Sequence, residues 1–158
     1  MSGRRPSATA GYSGTPLARK LGIGPACRLF LGDAPRNYRQ LVAPLPEGVR
    51  IVAAIGAHTD LIHLFATRRA ALEQALRSAL RAMRDDAVIW VSWPKKASGV
   101  TTDITEDTIR EVALPLQLVD IKVCAVDETW SGLKLMVRRA ARTAAGGRVA
   151  AARRTPRA

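Results

Sequence analysis

Apolar residues along this chain follow two rhythms. Four near-continuous runs of strand length, "CRLFLG" (Cys27–Gly32), "VRIVAAI" (Val49–Ile55), "DLIHLFA" (Asp60–Ala66) and "AVIWVSW" (Ala87–Trp93), read as buried strands. Between the last two, Leu72, Leu76, Ala79, Leu80 and Met83 recur at helical spacing and share one face. Glu73 and Arg77 stand four apart on the same helix, and Thr67 is placed to cap its start. A second helix is announced by Thr105 as N-cap. Glu106 and Asp107 follow at its positive end, and Ile104 and Ile109 stand at the two positions of a hydrophobic staple. Pro115 closes it. Shorter helices are expected over Pro16–Leu21, stopped by Gly22 or Gly24, and over Arg36–Val42, stopped by Pro44 and Pro46.

"VDIKVCAVD" and "LKLMVRR", joined by "ETWSG", are two further strands, and so short a connection makes them antiparallel. Apolar strands alternating with amphipathic helices predict an α/β, three-layer Rossmann-like sandwich whose sheet is mostly parallel and ends in an antiparallel hairpin. That is the plan of the class I, S-adenosylmethionine-dependent methyltransferase fold in shortened form. "VRIVAAI" passes almost directly to "DLIHLFA", leaving no room for the helix and strand that normally intervene. One domain is expected from Gly11 to Arg139, with a flexible segment 1–10 before it and a disordered basic tail 140–158 after it.

Several stretches also match a family pattern. "GYSGTPLARKLGI", "LPEGVR", "HLFAT", "WVSWPKKASGVTTDITED" and "REVALP…LVDIKVCAVDETWSGLKLMVRR" resemble the bacterial family called domain of unknown function 3052. The resemblance covers roughly Gly11 to Arg139, and "SWPKKASG" and "CAVDETWSGLK" are its most specific parts. It implies a Rossmann-like fold and a bacterial source, and it brings no established activity and no catalytic residue. Gln117 stands where similar sequences lead one to expect glycine, which implies a strained exit from the second helix.

Charge changes the picture only at the ends. The formal net charge is +12, from 25 basic and 13 acidic residues. Residues 1–20 hold Arg4, Arg5, Arg19 and Lys20, residues 138–158 hold seven arginines, and neither stretch holds an acid. The basic tails promote solubility, or make weak, non-specific, salt-sensitive contact with nucleic acid. No apolar run approaches the roughly 20 residues of a membrane span, and no secretory signal is evident, so no membrane partner is expected and a cytoplasmic location is the default. Cys27 and Cys124 lie in apolar runs and read as buried free thiols.

The chemistry of the fold's usual cofactor is poorly supported. A methyltransferase needs a glycine-rich turn after its first strand and an acid ending its second. The turn here is "LGDAPRNY", with the single glycine Gly32, and "IVAAIGAH" offers Ile55 and Gly56. Asp33 is a possible substitute acid. No cofactor is expected, and S-adenosylmethionine and NAD are both disfavoured. No GxSxG, HExxH or GxxxxGK[ST] motif occurs. His58 and His63 are poorly placed to share a metal, and His63 reads as a strand histidine with ordinary hydrogen bonds.

What remains is the carboxyl edge of the sheet, where open α/β folds bind ligands. Four connections leave it: Gly32–Tyr38, Ala66–Arg69, Ser92–Thr102 and Asp127–Gly132. They bring Lys95, Lys96, Arg68, Arg69 and Ser98 as an expected anion site, lined by Trp93, Trp130, Ser92 and Asp127. Arg68 and Arg69 would stand in the first turn of a helix, where the dipole disfavours cations, and a bound anion would relieve that conflict. Two functional classes fit: a non-catalytic module for a small anionic ligand or a protein partner, and an enzyme on a phosphorylated or carboxylated substrate that uses the Asp127–Ser131 loop. The second would be a degenerate methyltransferase relative.

Overall fold

The structure, a computed structural model, describes residues 14–142. The expectations for 1–10 and for the tail beyond Arg142 lie outside the described residues. Six strands form one sheet: β1 (Arg28–Gly32), β2 (Arg50–Val52), β3 (Leu61–Phe65), β4 (Val88–Pro94), β5 (Leu118–Ala125) and β6 (Trp130–Val137). Their order is β2-β1-β3-β4-β6-β5. β2, β1, β3 and β4 are parallel, and β6 runs antiparallel to both β4 and β5. The architecture is the α/β sandwich with mixed sheet and closing hairpin that the apolar rhythm predicts.

Among the described residues, four α-helices cover the sheet: α1 (Leu17–Leu21), α2 (Tyr38–Leu41), α3 (Arg69–Ala82) and α4 (Glu106–Ala113). On one face Leu72, Leu76, Ala79 and Leu80 of α3, with Ile109, Val112 and Ala113 of α4, pack with Ile62, Leu64, Ile89, Val91, Leu133 and Leu135 of the strands. On the other face Leu17, Ala18 and Leu21 of α1 and Tyr38 of α2 pack with Leu29, Leu61, Phe65 and Trp90. Alternate residues of β3 serve opposite faces, so all five are buried. The Trp90 indole N–H donates to the Leu21 carbonyl at 2.8 Å, fixing α1 over β4. Gly132 of β6 makes room for that ring. A Cβ there would stand 3.2 Å from the Trp90 ring and 3.3 Å from Val126.

Local signals held where they depend on neighbours in sequence. Gly22 ends α1 in the left-handed conformation, at φ 84°. Thr105 caps α4 by accepting from the Thr108 N–H, and the Thr108 hydroxyl accepts from the Thr105 N–H in turn. The staple residues Ile104 and Ile109 are both buried. The helix stops at Ala113, where a 3₁₀ turn over Leu114–Leu116 carries Pro115. Gln117 follows at φ 67°, in the left-handed region that favours glycine.

Four expectations need correction. "VRIVAAI" is not a buried strand: only Arg50–Val52 pair, at the sheet's edge, with Arg50 exposed and Ile51 and Val52 half-buried. Its β-branched content met a position with one neighbour instead of two. Thr67 does not cap α3. Its carbonyl accepts from the Thr102 hydroxyl and the Asp103 N–H, while the Asp103 carboxylate accepts from the Arg69 N–H at 2.7 Å. The last strand starts at Trp130, inside the stretch read as connection. The fold also runs past Arg139: Ala141 packs against the core, and the Arg142 guanidinium donates to the Val137 carbonyl.

Candidate functional site

β1 sits between β2 and β3, with the chain passing first to one side and then to the other. The crevice beyond the carboxyl ends of β1 and β3 is therefore the topological switch point of the parallel strands, where open sheets place ligands. A cavity of about 210 Å³ lies there. Gly32 and Asp33 of the β1 exit form one wall, and Leu64–Arg68 of the β3 exit form another. Ala71, Leu72 and Ala75 of α3 floor it, and Trp130 of β6 stands at its side.

Each wall has a local cause. Gly32 is closely packed: a Cβ there would stand 2.7 Å from Leu64 Cδ2, and the Leu64 side chain would have to shift. Asp33 adopts φ 55°, the left-handed turn conformation that short polar side chains tolerate best. Trp130 is held by its own turn: the Asp127 carboxylate accepts from the Thr129 and Trp130 N–H groups at 2.8 and 2.7 Å. Trp130 then meets Phe65 edge-on, with ring centroids 5.0 Å apart.

Behind Phe65 lies a polar chain that the sequence does not announce. The Tyr38 hydroxyl is 2.8 Å from His63 Nδ1, and His63 Nε2 is 2.7 Å from the Ser92 hydroxyl. All three residues are buried, and the Phe65 ring stacks on the His63 imidazole at 4.4 Å. Burial lowers the His63 pKa to about 3 and raises that of Tyr38, so the imidazole is neutral. A neutral imidazole has one donor and one acceptor, and the chain uses both. Hence Tyr38 and Ser92 satisfy His63, and the trio holds α2, β3 and β4 together beneath the cavity. The three residues are 25 and 29 positions apart in pairs, too far for any local motif to connect them.

The anticipated site residues separate into groups. Arg68 and Trp130 line the cavity. Arg69 turns away to α4, where it pairs with Glu111 at 2.7 Å. Arg69 is thus compensated by Asp103 at its backbone and by Glu111 at its side chain, and needs no bound anion. Ser92 lines no edge; it is fully buried on His63. Trp93 belongs to the core on the α3–α4 face. Asp127 is occupied with its turn. Lys95, Lys96 and Ser98 lie on the next loop of the edge and are not among the cavity-lining residues. There the Lys95 N–H donates to the Thr129 carbonyl and the Ser98 hydroxyl to the Lys95 carbonyl. Cys27 is buried as expected, whereas Cys124 is half-buried. Among the described residues, no group of three or more His, Cys, Asp or Glu side chains could hold a metal, and no helix is long and apolar enough to cross a membrane.

No protein-family model and no curated protein matches the chain. Solved structures do. A type 11 methyltransferase of Sulfolobus solfataricus, described as putative in its own name, superposes with a TM-score of 0.55 at 11% identity, over 77% of this chain and 89% of that one. A SAM-dependent methyltransferase of Aquifex aeolicus superposes with a TM-score of 0.51 at 11% identity, over 77% and 87%. At that identity the likeness is one of fold, and it establishes a Rossmann-like, methyltransferase-like fold for this chain.

Proposed function

We propose that this protein is a Rossmann-like binding module for a small anionic ligand, seated in the crevice between β1 and β3. The observation that carries the reading is the cavity at the switch point of the sheet, with Arg68 among its lining residues and no acidic partner of Arg68 among the described residues. Its size sets the ligand class. About 210 Å³ is below the roughly 300–1,000 Å³ of sites that enclose drug-sized molecules. A phosphate ester or carboxylate of a few carbons suits it, with its apolar part against Phe65, Ala71 and Trp130 and its anionic group on Arg68.

The fold makes S-adenosylmethionine the first ligand to try, and the residues argue against it. The turn after β1 carries one glycine, Gly32, which is packed closely on Leu64. Pro35 removes a backbone donor from the turn. Beyond β2 stand Ala53, Ala54, Ile55 and Gly56, with no carboxylate for a ribose. Asp33 is on the opposite wall from Arg68 and is the acid left at this edge of the cavity. The same gaps weigh against NAD. Asp127, the carboxylate of the neighbouring loop, is engaged by two backbone N–H groups, which leaves Asp33 as the carboxylate on the cavity. A binding role without catalysis therefore accounts for more of the residues than an enzymatic one.

The test is a thermal-shift and calorimetric screen of small phosphate esters, carboxylates, nucleotides and S-adenosylmethionine on the wild type and Arg68→Gln. A small anion should stabilise the wild type by about 2.7 kcal/mol at a hundred times its dissociation constant, and Arg68→Gln should lose that shift. Micromolar binding of S-adenosylmethionine would overturn the reading and restore the methyltransferase one.

A further inference from the structure

Beyond the cavity, the closing hairpin brings together cations that no local rule accounts for. Lys122 of β5 and Lys134 of β6 are directly opposite in the antiparallel register. Like charges in that relation destabilise a sheet. Neither has an acidic partner among the described residues, and the same holds for Lys20 at the end of α1. The register fixes the face. Lys134 is also opposite Trp90, whose ring lies under α1, so Lys134 and Lys122 point to the α1 side of the sheet. Lys20 and Lys122 both act electrostatically on the Cys124 thiol, which places those two lysines near that residue, and Lys134 is opposite Lys122 in the register.

The row continues along β6. Lys134, Met136 and Arg138 are alternate positions of an extended chain, so Arg138 prolongs the same side about 13 Å from Lys134 at roughly 3.3 Å per residue. Arg139 and Arg142 follow, and the chain goes on with Arg148, Arg153, Arg154 and Arg157. No acid occurs after Glu128.

We infer that this face of the hairpin is a sequence-independent binding surface for the phosphodiester backbone of nucleic acid, with Lys20, Lys122 and Lys134 as its centre and Arg138 at its far end. A length of about 13 Å matches three or four phosphates at 3.4 Å per strand of duplex axis. Lysines act there as point charges on phosphates and read no base edge. The composition favours nucleic acid over an anionic membrane, because a membrane-seated face carries large apolar anchors between its cations. Among the described residues, the exposed large apolar side chains are elsewhere: Val100 after β4, Leu114 at the end of α4, Ile121 in the β5 bulge, and Val123 opposite Leu133 on the α3–α4 face.

The full chain is titrated with a fluorescein-labelled 30-bp mixed-sequence duplex DNA at several salt concentrations. The triple variant Lys20→Gln, Lys122→Gln, Lys134→Gln should bind about tenfold or more weakly at 0.1 M salt. Its log K against log salt slope should be shallower by about 2.7, the value for three lost phosphate contacts. Its melting temperature should not fall, since the opposed charges are removed. If the triple variant does not fold, Lys20→Glu at the half-buried end of α1 serves instead, with a smaller but measurable loss expected, since it changes the charge of the face by two and not by three. Neutralising Arg148, Arg153, Arg154 and Arg157 in the full chain should leave the contribution of the three lysines in place. The inference fails if the wild type does not bind the duplex. It also fails if the lysine variant keeps the wild-type affinity and slope, or if vesicles rich in phosphatidylserine bind and the duplex does not.

Discussion

The four parallel strands and the closing hairpin belong to one sheet, yet they are buried in different ways. β3 is enclosed on both faces, by α3 on one side and by α1 and Tyr38 of α2 on the other, and even its histidine is inaccessible. β5, at the opposite end of the order, is half-open: Ile121 and Val123 are 49% and 47% exposed, and a bulge interrupts its register between Asp120 and Lys122. A long edge strand with a regular register would offer its free N–H and C=O groups to another chain. A bulge and an outward lysine are the usual ways of discouraging that. The comparison separates two uses of one sheet. The parallel half is built as a rigid seat for a cavity at its carboxyl edge, and the hairpin half closes the fold and presents charge.

The largest expected effect follows from that difference. Ile62→Ala on β3, at a fully buried position, should cost about 2–5 kcal/mol in urea denaturation. The comparable truncation Val123→Ala on β5 should change stability by less than about 0.5 kcal/mol. Similar losses at both sites would mean that the hairpin face is covered in solution.

The sequence disclosed the fold far better than the site, for a physical reason. Helix faces, caps and staples are set by residues within one or two turns, so Leu72 to Met83 and the Thr105 cap could be read directly. Burial of a strand depends on how many neighbours it has, which is why the β-branched run at Val49–Ile55 was misjudged and β3 was not. The site suffered most. Arg69 looked like an uncompensated cation because its partner Glu111 is 42 residues away. Ser92 looked like an exit residue because His63, which buries it, is 29 residues earlier. Arg68 and Trp130 were identifiable because position on the edge alone puts them at the cavity.

The next effect is on pH dependence, and it is confined to the parallel half. His63 has a folded pKa of about 3 against an ordinary value of 6.5. Between those limits the unfolded chain binds a proton that the folded chain refuses, so stability is intact above about pH 6.5 and declines as pH falls. The slope is about 1.4 kcal/mol per pH unit, giving a loss of about 2–3 kcal/mol by pH 4.5. Chemical denaturation at pH 7, 6, 5 and 4.5 should follow it. His63→Gln should be less stable at neutral pH, because Tyr38 and Ser92 lose a matched partner, but should show a flatter profile over that interval. A profile as steep as the wild type would assign the acid sensitivity to other groups.

The smallest effect is at the join between the two halves. α4 hands the chain to β5 through Leu114–Gln117, and Gln117 takes φ 67° there. A side chain in that region crowds the following carbonyl, at a cost of about 1–2 kcal/mol that glycine does not carry. Part of that is recovered by glutamine's smaller loss of backbone freedom on folding, so Gln117→Gly should stabilise the protein by about 0.5–1 kcal/mol. The Gln117 carbonyl accepts from the Arg138 N–H at 2.8 Å, a bond that the backbone of glycine keeps. The side-chain contact from Arg138 to Gln117 Oε1, at 3.3 Å and exposed, adds little to be lost. Ile62→Ala combined with Gln117→Gly then tests whether the halves unfold as one unit. In a single cooperative transition the gain at the join offsets part of the loss in the core, and the two changes add within about 0.5 kcal/mol. A hairpin that melts separately would leave the core transition of the double variant where Ile62→Ala alone puts it.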